Sequence, residues 1–180
     1  TTTPYTKLSN PTTLPAGDGR GCAFNHNGTR LAVAHSSSPY ITIYDTTTTP
    51  YTKLSNPTTL PASTGYGCAF NHNGTRLAVA HSSSPYITIY DTTTTPYTKL
   101  SNPTTLPAGN GIGCAFNHNG TRLAVAHGSS PYITAYGVVY GTPLAYKANN
   151  LLSGLAGRYG YAKENISLSA IGKVDVLFEV

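Results

Sequence analysis

The chain repeats itself with a period of 46 residues, and this repeat limits the possible fold more than any other feature of the sequence. The decapeptide Gly21–Arg30 recurs unchanged at residues 67–76 and again at residues 113–122. Residues 21–62 and 67–108 are identical throughout. A chain of such units folds as a repeat architecture, in which each unit packs against its neighbours.

Each unit contains four short segments with β-strand character and none with the spacing of an amphipathic helix. In order they are Pro-Tyr-Thr-Lys-Leu-Ser, Gly-Cys-Ala-Phe-Asn, Thr-Arg-Leu-Ala-Val-Ala-His and Pro-Tyr-Ile-Thr-Ile-Tyr-Asp. The Asn-Gly pair after the second segment is a strong hairpin signal, and the Ser-rich and Thr-rich stretches that end in proline are typical of loops. Four strands in about 40–50 residues is the size of one β-propeller blade. The sequence therefore predicts an all-β fold made of propeller blades.

The repeat also predicts how the chain is divided. We expect three tandem four-stranded blades over residues 1–136, divided at about 1–45, 46–91 and 92–136, followed by a divergent C-terminal β segment over residues 137–180. Alternating apolar residues at 166–170 and 173–178 predict a final hairpin in that segment. It is either a partial blade that caps the array or an attachment segment, and capping is favoured because terminal repeats are usually atypical. Because the sequence begins at Thr1 in the middle of a repeat unit, we expect the chain to be the C-terminal part of a longer one.

The repeat carries a family resemblance. Phe-Asn-His-Asn-Gly-Thr-Arg-Leu-Ala-Val-Ala-His, followed by Ile-Thr-Ile-Tyr-Asp, resembles the WD-repeat pattern and YVTN-type surface propellers. The strings Leu-Ser-Asn-Pro-Thr-Thr-Leu-Pro and Ala-Val-Ala-His-Ser-Ser-Ser-Pro-Tyr-Ile-Thr-Ile-Tyr are similar to propeller repeats of bacteriophage tail and other virion proteins. The resemblance covers residues 1–136. Tyr44 and Tyr90 stand where the WD repeat has Trp, Gly137 replaces its terminal Asp, and its Gly-His pair is missing, so its side-chain hydrogen-bond network is not expected here.

Cysteine and histidine occur at equivalent positions of the three repeats. The cysteines are Cys22, Cys68 and Cys114, and the histidines form two sets: His26, His72 and His118, then His35, His81 and His127. Equivalent cysteines of neighbouring blades should be a blade width apart, which favours small buried side chains over disulfides. We place the first histidine set in turns and the second at hydrogen-bonding strand ends, with neither lining the propeller axis. The sequence therefore predicts no metal site.

Residues that could support catalysis are missing from the repeat. No carboxylate pair recurs with acid/base spacing, and there is no Gly-x-Ser-x-Gly, phosphate-binding or zincin motif. We therefore predict that the protein is not an enzyme and has no catalytic residues and no cofactor. The net charge of +5 is spread over single basic residues, which favours a role in solubility over a nucleic-acid interface. No apolar run is long enough for a membrane helix and no signal peptide is visible, so membrane insertion is not expected.

The repeats differ from one another mainly in one loop and the strand that follows it. Gly-Asp-Gly-Arg at 17–20 becomes Ser-Thr-Gly-Tyr at 63–66 and Gly-Asn-Gly-Ile at 109–112. In a propeller blade, the loop before the innermost strand opens on the same rim as the loop between the third and fourth segments, where Ser36 and Ser82 become Gly128. Loops vary where they carry function, although they also drift where they are tolerant. The candidate binding residues are Asp18, Arg20, Thr64, Tyr66, Asn110 and Ile112.

Together these features predict a structural or binding module. We expect a phage-like virion component of the tail or neck, in the virion or outside the cell, that engages a partner subunit or a host receptor through this rim. Three blades are fewer than the four to eight of usual propeller rings, so the expected partners are other virion subunits or further copies of the chain in an oligomer. A host surface glycan is a further candidate ligand. The alternative is a secreted or cell-surface carbohydrate-binding propeller.

Overall fold

The computed structural model describes residues 5–138. By its internal contacts the chain divides into two compact units, residues 1–138 and residues 139–180, and the described residues all belong to the first. The hairpin and the cap that the sequence predicts toward the C-terminus lie outside the described residues, apart from Gly137 and Val138. Within residues 5–138 all regular structure is β, and no helix is present that is long and apolar enough to span a membrane.

The strands form three antiparallel sheets, which confirms the predicted β-propeller blades. Blade 1 contains β1 (Gly19–Phe24), β2 (Arg30–His35), β3 (Ile41–Asp45) and β4 (Thr52–Lys53). Blade 2 contains β5 (Gly65–Phe70), β6 (Arg76–His81), β7 (Ile87–Asp91) and β8 (Thr98–Lys99). Blade 3 contains β9 (Gly111–Phe116), β10 (Arg122–His127) and β11 (Ile133–Gly137). In every sheet the strands lie in chain order.

The blades are offset from the sequence units by one strand. We predicted that Pro-Tyr-Thr-Lys-Leu-Ser begins its own blade, with divisions near 45/46 and 91/92. In the structure Thr52–Lys53 instead completes the preceding sheet, where Lys53 pairs with Tyr44 and Thr52 with Asp45. Blade 2 acquires Thr98–Lys99 in the same way. Pro50 and Pro96, two residues before the outer strands, have no N–H to donate and limit the extension of these strands toward the N-terminus. Blades 1 and 2 are therefore each closed by residues of the next sequence unit.

The predicted Asn-Gly hairpin joins the first two strands of each blade. Gly28 adopts a φ of +71°, a left-handed conformation that favours glycine. Its N–H donates to the carbonyl of Asn25 at 3.0 Å, and the N–H of Arg30 donates to Asn25 Oδ1 at 2.9 Å. Gly74 and Gly120 repeat the turn with φ values of +69° and +72°. The identical loop sequence thus builds the same turn three times.

The hydrophobic core lies between the blades, because each sheet is apolar on both sides. The trailing face of a blade is the side toward the next blade; in blade 1 it comprises Ala32, Ala34, Ile41 and Ile43. The leading face is the opposite side; in blade 2 it comprises Cys68, Phe70, Leu77, Val79 and Tyr90. Blades 2 and 3 meet through the same residue types: Ala78, Ala80, Ile87 and Ile89 against Cys114, Phe116, Leu123, Val125 and Tyr136. Burial of these apolar surfaces stabilises the array.

The innermost strands β1, β5 and β9 pack directly against one another. A side chain at Gly21 would place its Cβ 2.8 Å from the carbonyl oxygen of Tyr66, and one at Gly67 would place it 3.0 Å from the Cα of Gly113. These positions therefore accept only glycine without movement of the neighbouring backbone. The close approach brings the residues on either side of each glycine near their equivalents in the next blade.

Candidate binding rim

Arg20, Tyr66 and Ile112 occupy a β-bulge at the same place in each blade. In blade 1 Gly19 pairs with His35 and Gly21 pairs with Ala34, so Arg20 is an extra residue without a ladder partner. The same shift leaves Tyr66 extra in blade 2 and Ile112 extra in blade 3. A bulge bends its strand and redirects the side chain, and bulges are frequent beside functional sites. Three of the six candidate residues thus occupy positions that the sheet does not constrain.

The loop before the innermost strand meets the loop between the second and third strands, as the sequence predicts. In blade 1 the N–H of Ser36 donates to the carbonyl of Asp18 at 3.1 Å, and the N–H of Asp18 donates to Ser36 Oγ at 2.9 Å. In blade 2 the N–H of Ser82 donates to the carbonyl of Thr64 at 3.2 Å. In blade 3 only the backbone of Gly128 is available, and its N–H donates to Asn110 at 3.0 Å. The two variable stretches therefore form one rim.

Two contacts on this rim cross from one blade to the next. The guanidinium carbon of Arg20 lies 5.7 Å from the centroid of the Tyr66 ring, which is within range of a cation–π interaction. Thr64 Oγ1 donates a hydrogen bond of 3.1 Å to the carbonyl of Ser36. The structure thus brings together Arg20 with Tyr66, and Thr64 with the rim loop of blade 1.

The remaining candidate residues are placed on the same rim without joining these contacts. Asp18 and Asn110 are exposed at equivalent positions before the innermost strands, and Ile112 is 56% exposed. Within residues 5–138 no hydrogen bond between side chains, ion pair or ring contact links Asp18, Asn110 or Ile112 to the other candidates. Along the bulge positions the rim therefore presents a cation, a phenol ring and an aliphatic group in succession.

The rim also contains a backbone feature that no local sequence signal predicts. Tyr40, Tyr86 and Tyr132, in the loops between the second and third strands, adopt φ values of +65° to +67°. Left-handed backbone is unfavourable for a bulky residue and is found where surrounding structure enforces it, commonly near functional sites. In these loops the N–H of Tyr40 donates to Ser37 at 2.8 Å and its carbonyl accepts from His35 at 3.0 Å. The tight loop keeps the rim in a fixed shape.

His26, His72 and His118, which the sequence places in turns, lie in contact with one another from blade to blade. Successive ring centroids are 4.0 Å and 4.6 Å apart, because the turn directly continues the innermost strand and the innermost strands are in contact. With Phe24, Phe70 and Phe116, and with Asn71 and Asn117, the rings line a shallow cavity of about 190 Å³. Burial and the two neighbouring imidazoles lower the pKa of His72. Among residues 5–138, no group of three or more His, Cys, Asp or Glu side chains is arranged to hold a metal ion.

The second histidine set has a structural role, as predicted for strand ends. His35, His81 and His127 are buried, and their Nε2 atoms lie 2.9 Å from the hydroxyls of Thr42, Thr88 and Thr134 on the adjacent strand. Burial lowers the pKa of His81 to about 4, so its ring is neutral at physiological pH.

The cysteines are free thiols; Cys68 and Cys114 pack in the blade interfaces as predicted, whereas Cys22 is exposed because the described residues place no blade before blade 1. Cys68 Sγ donates to the carbonyl of Ala32 at 3.5 Å, and Cys114 Sγ donates to that of Ala78 at 3.5 Å. Burial raises the pKa of both thiols to about 12, which makes them poor nucleophiles.

Comparison with known proteins supports a β-propeller fold but assigns the chain to no family. No family model matches the chain, and no curated protein matches it. Among solved structures, a putative 6-phosphogluconolactonase from Bacteroides uniformis matches with a TM-score of 0.58 at 14% identity, over 71% of this chain and 38% of that one. A putative 6-phosphogluconolactonase from Bacteroides fragilis matches with a TM-score of 0.59 at 15% identity, over 71% and 36%. Hydrazine synthase of Kuenenia stuttgartiensis matches with a TM-score of 0.55 at 13% identity, over 66% and 34%.

These likenesses support the β-propeller architecture alone, because their sequence identities are low. This chain spans little more than a third of the length of the solved structures that it matches. Some of those structures bear the names of enzymes, so the fold by itself is compatible with catalysis as well as with binding.

Proposed function

We propose that this protein is a non-enzymatic binding module whose rim of Asp18, Arg20, Thr64, Tyr66, Asn110 and Ile112 contacts a ligand or a partner subunit. The observation that carries the proposal is the bulge. In blades that are otherwise nearly identical, three of the side chains that differ, Arg20, Tyr66 and Ile112, occupy positions that the strand ladder leaves unpaired.

The chemistry of the rim favours a polar partner surface. Arg20 supplies a cation and five donors, Tyr66 supplies an aromatic face with a hydroxyl, and Ile112 supplies exposed apolar area. Arginine and tyrosine are the residue types most often found at the energetic centres of protein interfaces. The contact between Arg20 and Tyr66 holds both side chains before binding, which reduces the entropy that a partner must overcome.

The resemblance of the repeat to phage tail and other virion propellers supports a role in a virion. In that role the rim engages another virion subunit or a receptor on the host surface. The alternative is a secreted or cell-surface carbohydrate-binding propeller. The observation that favours this second role is the presence on one rim of the Tyr66 ring and the polar side chains of Thr64 and Asn110, since aromatic faces and amides are suited to sugar rings and their hydroxyls.

Binding measurements on matched variants test the rim. Fluorescently labelled protein would be applied to a glycan array and to intact bacteria of several genera. The double variant Arg20→Ala/Tyr66→Ala is compared with Arg122→Ala/Tyr5→Ala, which removes the same residue types at exposed positions away from the rim. We expect the first variant to bind at least tenfold more weakly and the second to bind like the wild type. Binding that is equally strong in both variants would overturn the rim assignment.

The same preparations separate binding from catalysis. Hydrolysis of 6-phosphogluconolactone would be followed with wild-type protein, because the Bacteroides proteins of similar fold bear the name of that activity. We expect no rate above the spontaneous reaction. Protein-dependent hydrolysis that follows the folded protein through purification would contradict a non-enzymatic role.

A further inference from the structure

We infer that copies of this chain associate head to tail, with the leading face of blade 1 in one copy docked on the trailing face of blade 3 in the next. This inference does not depend on the binding rim. It starts from two apolar faces at the ends of the described array, each of which is one half of an interface that the chain already makes twice.

The trailing face of blade 3 is open within residues 5–138. Ile133 is 57% exposed, whereas its equivalents Ile41 and Ile87 are fully buried against the following blade. Ala126 is likewise exposed, whereas Ala34 and Ala80 are fully buried. Since the same residue types are covered in blades 1 and 2, the exposure of blade 3 marks a surface without its usual neighbour.

The leading face of blade 1 is the complementary half. Phe24 is 55% exposed and Cys22 is exposed, while Cys68 is buried against the trailing face of blade 1. Phe70, the equivalent of Phe24, packs on the same buried cluster. The equivalents of Phe70 and Cys68 are therefore available in blade 1, whereas Tyr44, the equivalent of Tyr90, is already buried.

The backbone at the two open ends is also shaped for a neighbour. Gly67 lies against Gly113 of the next blade, but a Cβ at Gly113 would meet nothing within 4 Å. Gly65 approaches the carbonyl of Tyr40 in the preceding blade, whereas Gly19 approaches only its own sheet at Val33. Gly113 and Gly19 thus keep the clearance that a blade-to-blade contact needs, at faces where the described residues provide no blade.

A second copy is the occupant that these observations favour. Each open face fits a partner face of known composition, and the chain presents that partner face at its other end. The contact is heterologous, since different faces meet, so it continues from copy to copy, into a ring if the rotation closes and into a filament if it does not. Blade 3 carries Ala135 where the other trailing faces carry Ile43 and Ile89, which removes apolar contact area. The contact between copies should therefore be weaker than the contacts between blades and reversible on dilution.

Complementary variants test the association of the full chain. The mass of the wild type, of Ile133→Glu and of Phe24→Asp would be measured by size exclusion with light scattering. The protein concentration would range over roughly 1–100 µM. We expect the wild type to be larger than one chain at high concentration, and each variant to be monomeric because one face is blocked. An equimolar mixture of the two variants should give a complex of two chains, because each retains the face that the other lacks. Ser55→Glu is the control, with the same negative charge at an exposed position outside the rim and outside both open faces, and it should assemble like the wild type.

Cys22 provides an independent readout. Its reaction with a maleimide should be slow in the assembled wild type and fast after dilution, while Cys68 reacts only after unfolding in urea. Circular dichroism of both variants confirms that the fold is retained. A wild type that is monomeric at every concentration with rapidly labelled Cys22, or a variant mixture that stays monomeric, overturns the proposal.

Discussion

The hydroxyl of Tyr90 donates a hydrogen bond of 2.8 Å to the carbonyl of Thr59, a residue of the connector that enters the same blade. The side chain of Tyr90 is fully buried. The equivalent bonds join Tyr44 to Thr13 and Tyr136 to Thr105. The tyrosine hydroxyl thus joins the connector to the third strand of each blade.

This bond predicts the effect of removing one oxygen atom. Tyr90→Phe should lower the free energy of unfolding by about 1–2 kcal/mol, because the carbonyl of Thr59 loses its donor in a part-buried setting. Tyr136→Phe is the matched control, since its bond to Thr105 is exposed and water can replace the donor. Urea denaturation should show the smaller loss for Tyr136→Phe. Equal losses of stability in the two variants would show that burial does not strengthen the contribution of the Tyr90 hydrogen bond.

Local signals in the sequence were sufficient for most strands. The Asn-Gly pair defined the hairpin around Gly28, and the apolar runs before and after it defined β1 and β2. The outer strand was assigned to the wrong sheet, because Thr52–Lys53 has the same local pattern whichever neighbour it pairs with. The pairing depends on which of two neighbouring blades the outer strand joins, and the sequence of a single repeat does not contain that information.

Only part of the candidate binding rim could be predicted from the sequence, because the rest depends on contacts between strands that are distant in the chain. Comparison of the repeats identified Arg20 and Tyr66 as variable, but not the bulge that frees them, because a bulge depends on the register of two strands. The contact of His26 with His72 was missed, because it follows from the close approach of innermost strands in different blades. Glycine at the position of Gly21 in every repeat was the available signal for that approach.

Glycine at the blade contacts gives a paired prediction. Gly67→Ala should destabilise the fold by about 1–3 kcal/mol, because the new methyl would lie 3.0 Å from the Cα of Gly113 and backbone must move. Gly113→Ala should leave the stability of the monomer unchanged, since nothing lies within 4 Å of its added Cβ. Thermal unfolding at low protein concentration compares them. If Gly113→Ala is as destabilising as Gly67→Ala, the innermost strand of blade 3 already has a close neighbour.

The Asp91 carboxylate should stabilise the fold more through its hydrogen bonds to Thr93 than through its ion pair with Arg76. Its Oδ1 accepts from the N–H and the hydroxyl of Thr93 at 2.9 Å and 2.6 Å, and its Oδ2 lies 3.3 Å from Arg76. The hydrogen bonds from Thr93, and then the charge of Arg76, lower the pKa of Asp91. Asp91→Asn keeps an acceptor for Thr93 and should cost less than about 1 kcal/mol, while Asp91→Ala should cost about 1–2 kcal/mol.

Salt separates the two contributions at Asp91. Urea denaturation in low and high sodium chloride should change the cost of Asp91→Ala only slightly, because the hydrogen bonds from Thr93 are local and less screened than the pair with Arg76. Arg76→Ala should show the larger dependence on salt. A cost of Asp91→Asn equal to that of Asp91→Ala would mean that the charge, not the turn, provides the stability.

Buried histidine should make the blades sensitive to acid. Burial lowers the pKa of His81 from 6.5 to about 4, so the unfolded chain takes up a proton below pH 6.5 that the folded protein does not bind until about pH 4. The contribution to stability is therefore complete above pH 6.5 and is lost as the pH falls toward 4, by at most about 3 kcal/mol. Unfolding free energies measured from pH 7.5 to 4 should fall steeply in the wild type and less steeply in His81→Gln. Thr88→Val, which removes the hydroxyl beside His81 but keeps the ring, should lower stability throughout and retain the slope. A slope as steep in His81→Gln as in the wild type would place the acid sensitivity elsewhere.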